Sequence, residues 1–377
     1  MNSTELAIPP TRDDLTRLAA TGSEPVVSLL VPTTPRDEGR ILLRNLATEA
    51  VGLLEETGMR PVEARERMAI VDRVLHDHPL WAPPEVALAV YITADEWWQA
   101  PGPTLGGPQV VVGPRAQVKH LLDGTPHPPH AVLTLSLKSS HLYRADHHGL
   151  VEVETDGLPV TMAEVLRYDD PEPQLQYHST GAGGGRTAAV FHGHGGKETK
   201  DEEVSRYLRA VASAVEKHLD GEPLVLAGTD EVAAAFRKIT GYDRILDPDI
   251  AGSGERHAPA ELRAAAGDIV DREMDHHRTA VRSRIVDRLG TDLVAVDLPE
   301  VVLAACEGRV EALFVAGGET VVNGRYEPER RAVEPAQDGE DLVNLAAVET
   351  WGHHGDVFVV PGDDVPGVGL AAGLLRY

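Results

Sequence analysis

Cysteine is nearly missing from this sequence. Cys306 is the only one in 377 residues, which excludes an intrachain disulfide and any zinc cluster built on thiolates. It sits in the apolar run Val301-Val302-Leu303-Ala304-Ala305-Cys306, where a small buried residue fits better than a nucleophile. Aromatic residues are scarce as well, at 4%, so the cores must be assembled from Val, Leu, Ile and Ala within a 42% hydrophobic fraction. No stretch approaches the roughly 18 uninterrupted apolar residues that a membrane helix needs. The opening Met-Asn-Ser-Thr-Glu-Leu-Ala-Ile-Pro-Pro has neither the basic start nor the apolar core of a secretory signal. A soluble cytoplasmic protein without a membrane partner is the expectation. Positive charge is the last shortage: 60 acidic against 35 basic residues give a formal charge of −25, which argues against a nonspecific nucleic-acid coat or an anionic membrane surface.

The charge is unevenly spread. Residues 186–217 hold the basic Arg186, Lys197, Lys200, Arg206, Arg209 and Lys217 against the acidic Glu198, Asp201, Glu202, Glu203 and Glu216, so this stretch is close to neutral. Residues 332–375 hold eight acids and no Lys or Arg, which predicts a strongly negative face or domain.

A chain of this length predicts two or three domains, and the periodicity divides it at proline- and glycine-rich breaks. An N-terminal α/β domain over 1–128 opens with a buried strand at 25–31, continues with helices at 41–54 and 62–75, and has strands at 86–92 and 110–112. The pair Trp97-Trp98 reads as core or interdomain packing. Pro126, Pro128 and Pro129 mark the boundary. The middle domain, 129–252, begins with strands at 130–137 and 141–145, then a tight turn at His147-His148-Gly149 into a third strand. A polar, glycine-laden passage at 169–186 has no hydrophobic period and should be mobile. A strand at 188–191 follows, then a helix whose Val204, Tyr207, Leu208, Val211, Val215 and Leu219 form one stripe, a buried strand at 224–227, and a helix at 231–239 capped by Thr229. After an Ile250-Ala251-Gly252-Ser253-Gly254 linker, the C-terminal α/β sandwich domain at 253–377 starts with a long charged helix over 259–289. The fold class is therefore α/β throughout.

The most informative segment is Phe191-His192-Gly193-His194-Gly195-Gly196-Lys197-Glu198-Thr199-Lys200. Its glycines permit positive φ and close backbone approach, while His192, His194 and Lys197 supply imidazoles and an ammonium. Thr199 and Glu202 have capping-box spacing, which predicts a helix start near Lys200 and a loop just ahead of a positive helix end. A surface turn that uses glycine only for its bend is the plain alternative.

His192-Gly193-His194-Gly195-Gly196, followed by a helix and then Leu226-Ala227-Gly228, resembles the archaeo-eukaryotic class-one release factors and Pelota, and more closely their bacterial archaeo-eukaryotic release factor-like relatives. Release factors carry His-Gly-x-Gly-Gly-Gln; here Lys197 stands at the glutamine position. The resemblance implies three domains, the middle one RNase H-like and the last similar to the α/β/α sandwich of kink-turn-binding ribosomal proteins. It also implies a ribosome partner (rRNA and the tRNA site), leaves room for a delivering translational GTPase, and asks for no cofactor or metal. The candidate catalytic loop is Gly195, Gly196 and Lys197, with His192, Gly193, His194, Lys200 and Arg206 as ribosome- or RNA-binding residues. A backbone amide at Lys197 could still stabilise charge, but an ammonium only donates where glutamine both donates and accepts. The resemblance thus implies access to the A site more than hydrolysis, with roles in rescue, dormancy or atypical termination. The stop-codon motifs Asn-Ile-Lys-Ser and Tyr-x-Cys-x-x-x-Phe have no counterpart in the first domain.

Two other classes stay open on sequence. One is a metal-dependent hydrolase or nuclease of RNase H-like fold, using Asp146, Asp169, Asp170 and Asp230 or the pairs His147-His148, His276-His277 and His353-His354, although adjacent histidines on a helix point about 100° apart. The other is a noncatalytic interaction module, for instance a dimer whose acidic last domain engages a basic partner. Oligomeric state is not fixed by the sequence.

Overall fold

The computed structural model describes residues 2–5, 12–20, 24–122, 129–145, 149–155, 158, 161–162, 165, 196–252, 257–318, 320–337 and 339–377, with backbone alone for 2–5, 12–13 and 196–200. The chain divides into two units, one of residues 126–275 and one joined from 1–125 and 276–377.

In the first part, β1 (Asn2–Glu5), α1 (Arg12–Ala19), β2 (Val26–Pro35), α2 (Arg36–Glu56), α3 (Pro61–Met68), α4 (Ile70–Leu75), β3 (Glu85–Ile92), β4 (Glu96–Pro101), β5 (Gln109–Gly113) and α5 (Lys119–Leu122) follow in order. The five strands pair as β1-β4-β3-β2-β5, antiparallel except for β1 with β4. The apolar run in β2 needs no polar alternation because both sheet faces are covered. Val27, Leu29 and Val31 pack with Leu43, Leu46 and Leu54 of α2; Val26 and Leu30 look the other way, into a core shared with the chain's last part. Trp97 and Trp98 divide in the same manner, one to each face, and both are buried. The helix read over 62–75 is in fact two, because Ala69 N–H bonds to Glu66 O three residues back and tightens the turn between α3 and α4.

The middle unit contains β6 (His130–Leu135), β7 (Ser140–Ala145), β8 (Leu150–Glu152), α6 (Gly196–Val215), β9 (Leu224–Gly228), α7 (Asp230–Ile239), β10 (Ile250–Ala251) and the first half of α8 (Pro259–Asp287). Among the described residues its sheet runs β10-β9-β6-β7-β8, and β7 alone is reversed. Ala131, Leu133 and Leu135 of β6 face α6 and α7, while Val132 faces Leu262, Ala266 and Ile269 of α8. Ile250 and Ala251, read as linker, are instead an edge strand parallel to β9, with Ile250 buried on the α8 side. The passage at 169–186, the strand at 188–191 and the turn residues His147 and His148 lie outside the described residues.

The last part contains β11 (Val294–Ala295), α9 (Leu298–Cys306), β12 (Val310–Ala316), β13 (Asn323–Glu327), β14 (Ala332–Pro335), β15 (Glu340–Asp341), α10 (Leu342–Gly352), β16 (Asp356–Val360) and β17 (Ala371–Leu375). The sheet β11-β17-β12-β16 has Val281 and Ile285 of α8 against one face and α9 with α10 against the other. A small sheet, β14-β13-β15, went unread in the sequence because its strands are short and half exposed. The acids of 332–375 do not form one unbroken negative face. Glu340 and Glu349 meet Arg115, Glu334 meets Arg330, Asp356 meets His277, and Asp341 lies buried near Lys119. Apart from Arg330, these partners come from distant parts of the sequence, so a count within one window could not show them.

Candidate functional site

The glycine-rich segment leads into α6, and α6 is held mainly by its apolar stripe. Tyr207, Leu208, Val211 and Val215 are fully buried against Leu133, Leu135, Leu142, Leu224, Leu226 and Phe236, as three- and four-residue steps require. Val204 and Leu219 complete the stripe half-buried. One polar pin is added. Tyr207 Oη donates to Ser136 O at 3.0 Å and lies 2.6 Å from Ser140 Oγ. A phenol has a single proton, so the Ser140 hydroxyl donates in that second bond. Ser136 in turn closes the β6–β7 turn: its N–H bonds to Ser139 O at 2.9 Å, and its Oγ accepts from Ser139 N at 2.8 Å.

Above this anchor the helix carries little burial. None of residues 201–206 is buried, and Gly196 stands about 16 Å beyond Tyr207 at 1.5 Å rise per residue. The helix begins at Gly196, four residues before the predicted start near Lys200. Lys197 to Glu203 are all tolerable helix residues, and Glu198, Asp201 and Glu202 sit near the positive helix end.

The predicted site residues therefore fall into two groups. His192, Gly193, His194 and Gly195 lie outside the described residues. Gly196, Lys197 and Lys200 occupy the first turns of α6, where backbone alone is described, and Arg206 is exposed further along the same helix. The first four N–H groups of a helix have no acceptor within it, which includes the amide of Lys197.

The later motif, Leu226-Ala227-Gly228, is the end of β9. Leu226 faces α6 and Ala227 faces α8. Gly228 has a steric reason: a Cβ there would stand 2.9 Å from Leu135 O. Thr229 is the N-cap of α7 through its carbonyl, which accepts from Val232 N and Ala233 N at 3.0 and 2.9 Å; its side chain makes no capping bond.

Of the acids considered for metal chemistry, Asp146, Asp169 and Asp170 lie outside the described residues, and Asp230 is exposed at the start of α7. Among the described residues no group of three or more His, Cys, Asp or Glu is placed to hold a metal ion, and no helix is long and apolar enough to cross a membrane. Cys306 is half-buried, and burial, with Glu349 nearby, pushes its thiol up to about 12, which leaves it unreactive at neutral pH. Sequence reasoning missed two features: the serine seat of Tyr207, and a set of buried polar residues in the other unit. Its only trace in sequence was Asn344, a lone amide in the apolar run 342–348.

Residues 130–272 match the model of bacterial archaeo-eukaryotic release factor family 7. Among solved structures the chain is similar to Archaeoglobus fulgidus Pelota, at 15% identity over 77% of this chain and 79% of that one, TM-score 0.31. It is similar to S. cerevisiae Dom34, described as a translation termination-like factor interacting with Hbs1, at 12% identity over 78% and 85%, TM-score 0.38. It is also similar to the archaeal translation termination factor aRF1, at 12% identity over 97% and 96%, TM-score 0.21. No curated protein matches the chain. The matched span contains both the glycine-rich loop and the Leu226-Ala227-Gly228 strand end, and over that span the chain is similar to the bacterial archaeo-eukaryotic release factor-like family.

Proposed function

We propose that this protein is ribosome-associated and places the segment from His192 to Lys197 in the A site, near the peptidyl-transferase region, in rescue, dormancy or atypical termination. The observation that carries the reading is the join between motif and scaffold. A His-Gly-x-Gly-Gly sequence inside the family-matched span runs directly into α6, whose residues 201–206 are all unburied while its base is pinned at Tyr207. Such a helix can carry a segment outward without disturbing its own core.

Lys197 adds a compact, strongly hydrated charge suited to a phosphate, beside helix-end amides that also favour anions. It lacks the acceptor a glutamine side chain would offer to water. Binding to rRNA or tRNA phosphates therefore fits better than efficient peptidyl-ester hydrolysis. The overall charge of −25 weakens nonspecific RNA contact and leaves a shape-selected site to dominate. A delivering GTPase belongs to the same proposal. So do an RNase H-like reading of the middle sheet, supported by β7 being its single reversed strand, and a kink-turn-binding-like reading of the last sandwich. The division at 1–128, 129–252 and 253–377 is kept in this proposal, with the first and last of these domains sharing one core.

Ribosome cosedimentation tests the reading. Native protein should sediment with ribosomes, and Gly195→Ala, Gly196→Ala and Lys197→Glu should each lower the bound fraction severalfold. On stalled complexes the native chain should release little peptide, and Lys197→Gln more. Absence of native protein from the ribosomal pellet would overturn the proposal, and robust native release would overturn its mechanistic half.

A further inference from the structure

We propose that the unit formed by 1–125 and 276–377 holds a binding site for a small oxyanion that also carries a hydrogen-bond donor. Monohydrogen phosphate, free or as the terminal group of a nucleotide, is the simplest such group. The inference is independent of the ribosomal reading, since no residue of the middle unit takes part.

The site is a narrow cleft of about 40 Å³ lined by Gln117, Lys119 and His120 together with Gly106, Gly317 and Gly318. The glycines leave that part of the wall without side chains. Gln117 is only 2% exposed, and among the described residues its Oε1 meets no donor. Its main chain is fully engaged: the N–H bonds to Ser28 Oγ at 3.0 Å, and the carbonyl accepts the Tyr91 phenol at 3.0 Å. The residue is thus fixed by its backbone and the amide oxygen is left over. A buried acceptor without a donor is destabilising, and a bound donor would remove that cost.

Lys119 follows two residues later and is 6% exposed. Its ammonium forms a loose ion pair with Asp341 Oδ2 at 3.8 Å, and among the described residues that oxygen accepts no hydrogen bond. The other carboxylate oxygen of Asp341 is already used, accepting from Val343 N and Val322 N at 3.2 and 3.3 Å. His120 has Nε2 3.2 Å from Pro101 O, which places its proton there and leaves Nδ1 an acceptor. Burial lowers this imidazole to about 4, so the arrangement persists at neutral pH.

These groups define what fits. A buried cation favours an oxyanion, while the Gln117 oxygen and a neutral imidazole demand a donor on the same ligand. Sulfate has the charge but no proton at pH 7, and a neutral polyol has donors but no charge for Lys119. Monohydrogen phosphate has both, and a phosphate monoester, with its second pKa near 6, has both as its monoanion.

Titration calorimetry and thermal unfolding of the full chain at pH 7 and constant ionic strength, with inorganic phosphate, AMP and sulfate as probes, test the assignment. Phosphate is expected to bind and raise Tm in proportion to the logarithm of its concentration, with sulfate at least tenfold weaker. In a second series at pH 6, where the AMP phosphate is about half protonated, AMP binding tighter than phosphate identifies the nucleotide as source, and weaker AMP identifies the free ion. Gln117→Met should lower phosphate affinity at least tenfold while circular dichroism stays native. No response of the native chain to millimolar phosphate would mean the cleft holds only water and overturns the site. Equal binding of sulfate overturns it too, and needs no variant to fold. Undiminished affinity in a folded Gln117→Met does the same.

Discussion

Two segments are held in place by opposite means. Helix α6 of the middle unit is seated by an apolar stripe with one phenol as accessory. The segment from Arg115 to His120 in the other unit is seated by side chains reaching for its backbone. Asn344 Oδ1 accepts from both Val118 N and Lys119 N at 2.9 and 3.0 Å, and its Nδ2 donates to Ala116 O at 3.0 Å. Ser28 takes Gln117 N, and Arg115 joins Glu340 at 2.8 Å while bonding to Ala19 O at 2.8 Å. A stripe distributes its stabilisation over many atoms and tolerates the loss of one. A clamp concentrates it in a single amide, and losing that amide strands three buried backbone groups at once.

The largest expected effect is therefore Asn344→Ala, which should cost about 4 kcal/mol, since each stranded group carries a penalty of about 1–3 kcal/mol. Urea unfolding monitored by fluorescence measures it; a loss under 1 kcal/mol would erase the contrast.

Acid sensitivity comes next. His120 lies at about 4 in the folded chain against an ordinary 6.5, so between those values the unfolded chain binds the extra proton and folding stability falls as pH drops from 6.5 toward 4. The full shift is worth up to about 3 kcal/mol. Stability measured across this window should flatten in His120→Asn, and an unchanged slope would assign the sensitivity elsewhere.

Gly228→Ala places a methyl 2.9 Å from Leu135 O and should cost about 2 kcal/mol by overpacking, read as a lowered Tm. The smallest effect should be Tyr207→Phe. It removes the bond to Ser136 O and the acceptor for Ser140 but keeps the ring in its apolar seat, for about 1 kcal/mol in the same urea assay. Should Tyr207→Phe equal Asn344→Ala, the two segments would be anchored alike after all.

The same contrast explains what could be read in advance. Tyr207, Leu208, Val211 and Val215 repeat at helical steps, and β2, β3, β6 and β9 are short apolar runs, so periodicity alone places them. Gly228 was legible as a motif residue, though not its steric reason, which lies in Leu135 nearly a hundred positions earlier. The clamp was not legible. Asn344 sits more than two hundred residues from the backbone it holds, and residues 114–120, Pro-Arg-Ala-Gln-Val-Lys-His, carry no hydrophobic period. Ile250 and Ala251 were misread because their glycine-rich neighbourhood outweighed a two-residue strand. The helix start was placed late because the Thr199–Glu202 spacing looked like a cap, although nothing between Lys197 and Thr199 stops a helix.

One consequence of the seat at Tyr207 concerns time rather than position. Amide hydrogens from Leu208 to Val215 can exchange with solvent only when the surrounding core opens, whereas those of residues 201–206 are guarded by little beyond the helix itself. A single continuous helix should therefore show two exchange regimes, slow below the phenol and fast above it. The protein can renew the shape of the upper turns many times within one lifetime of its fold.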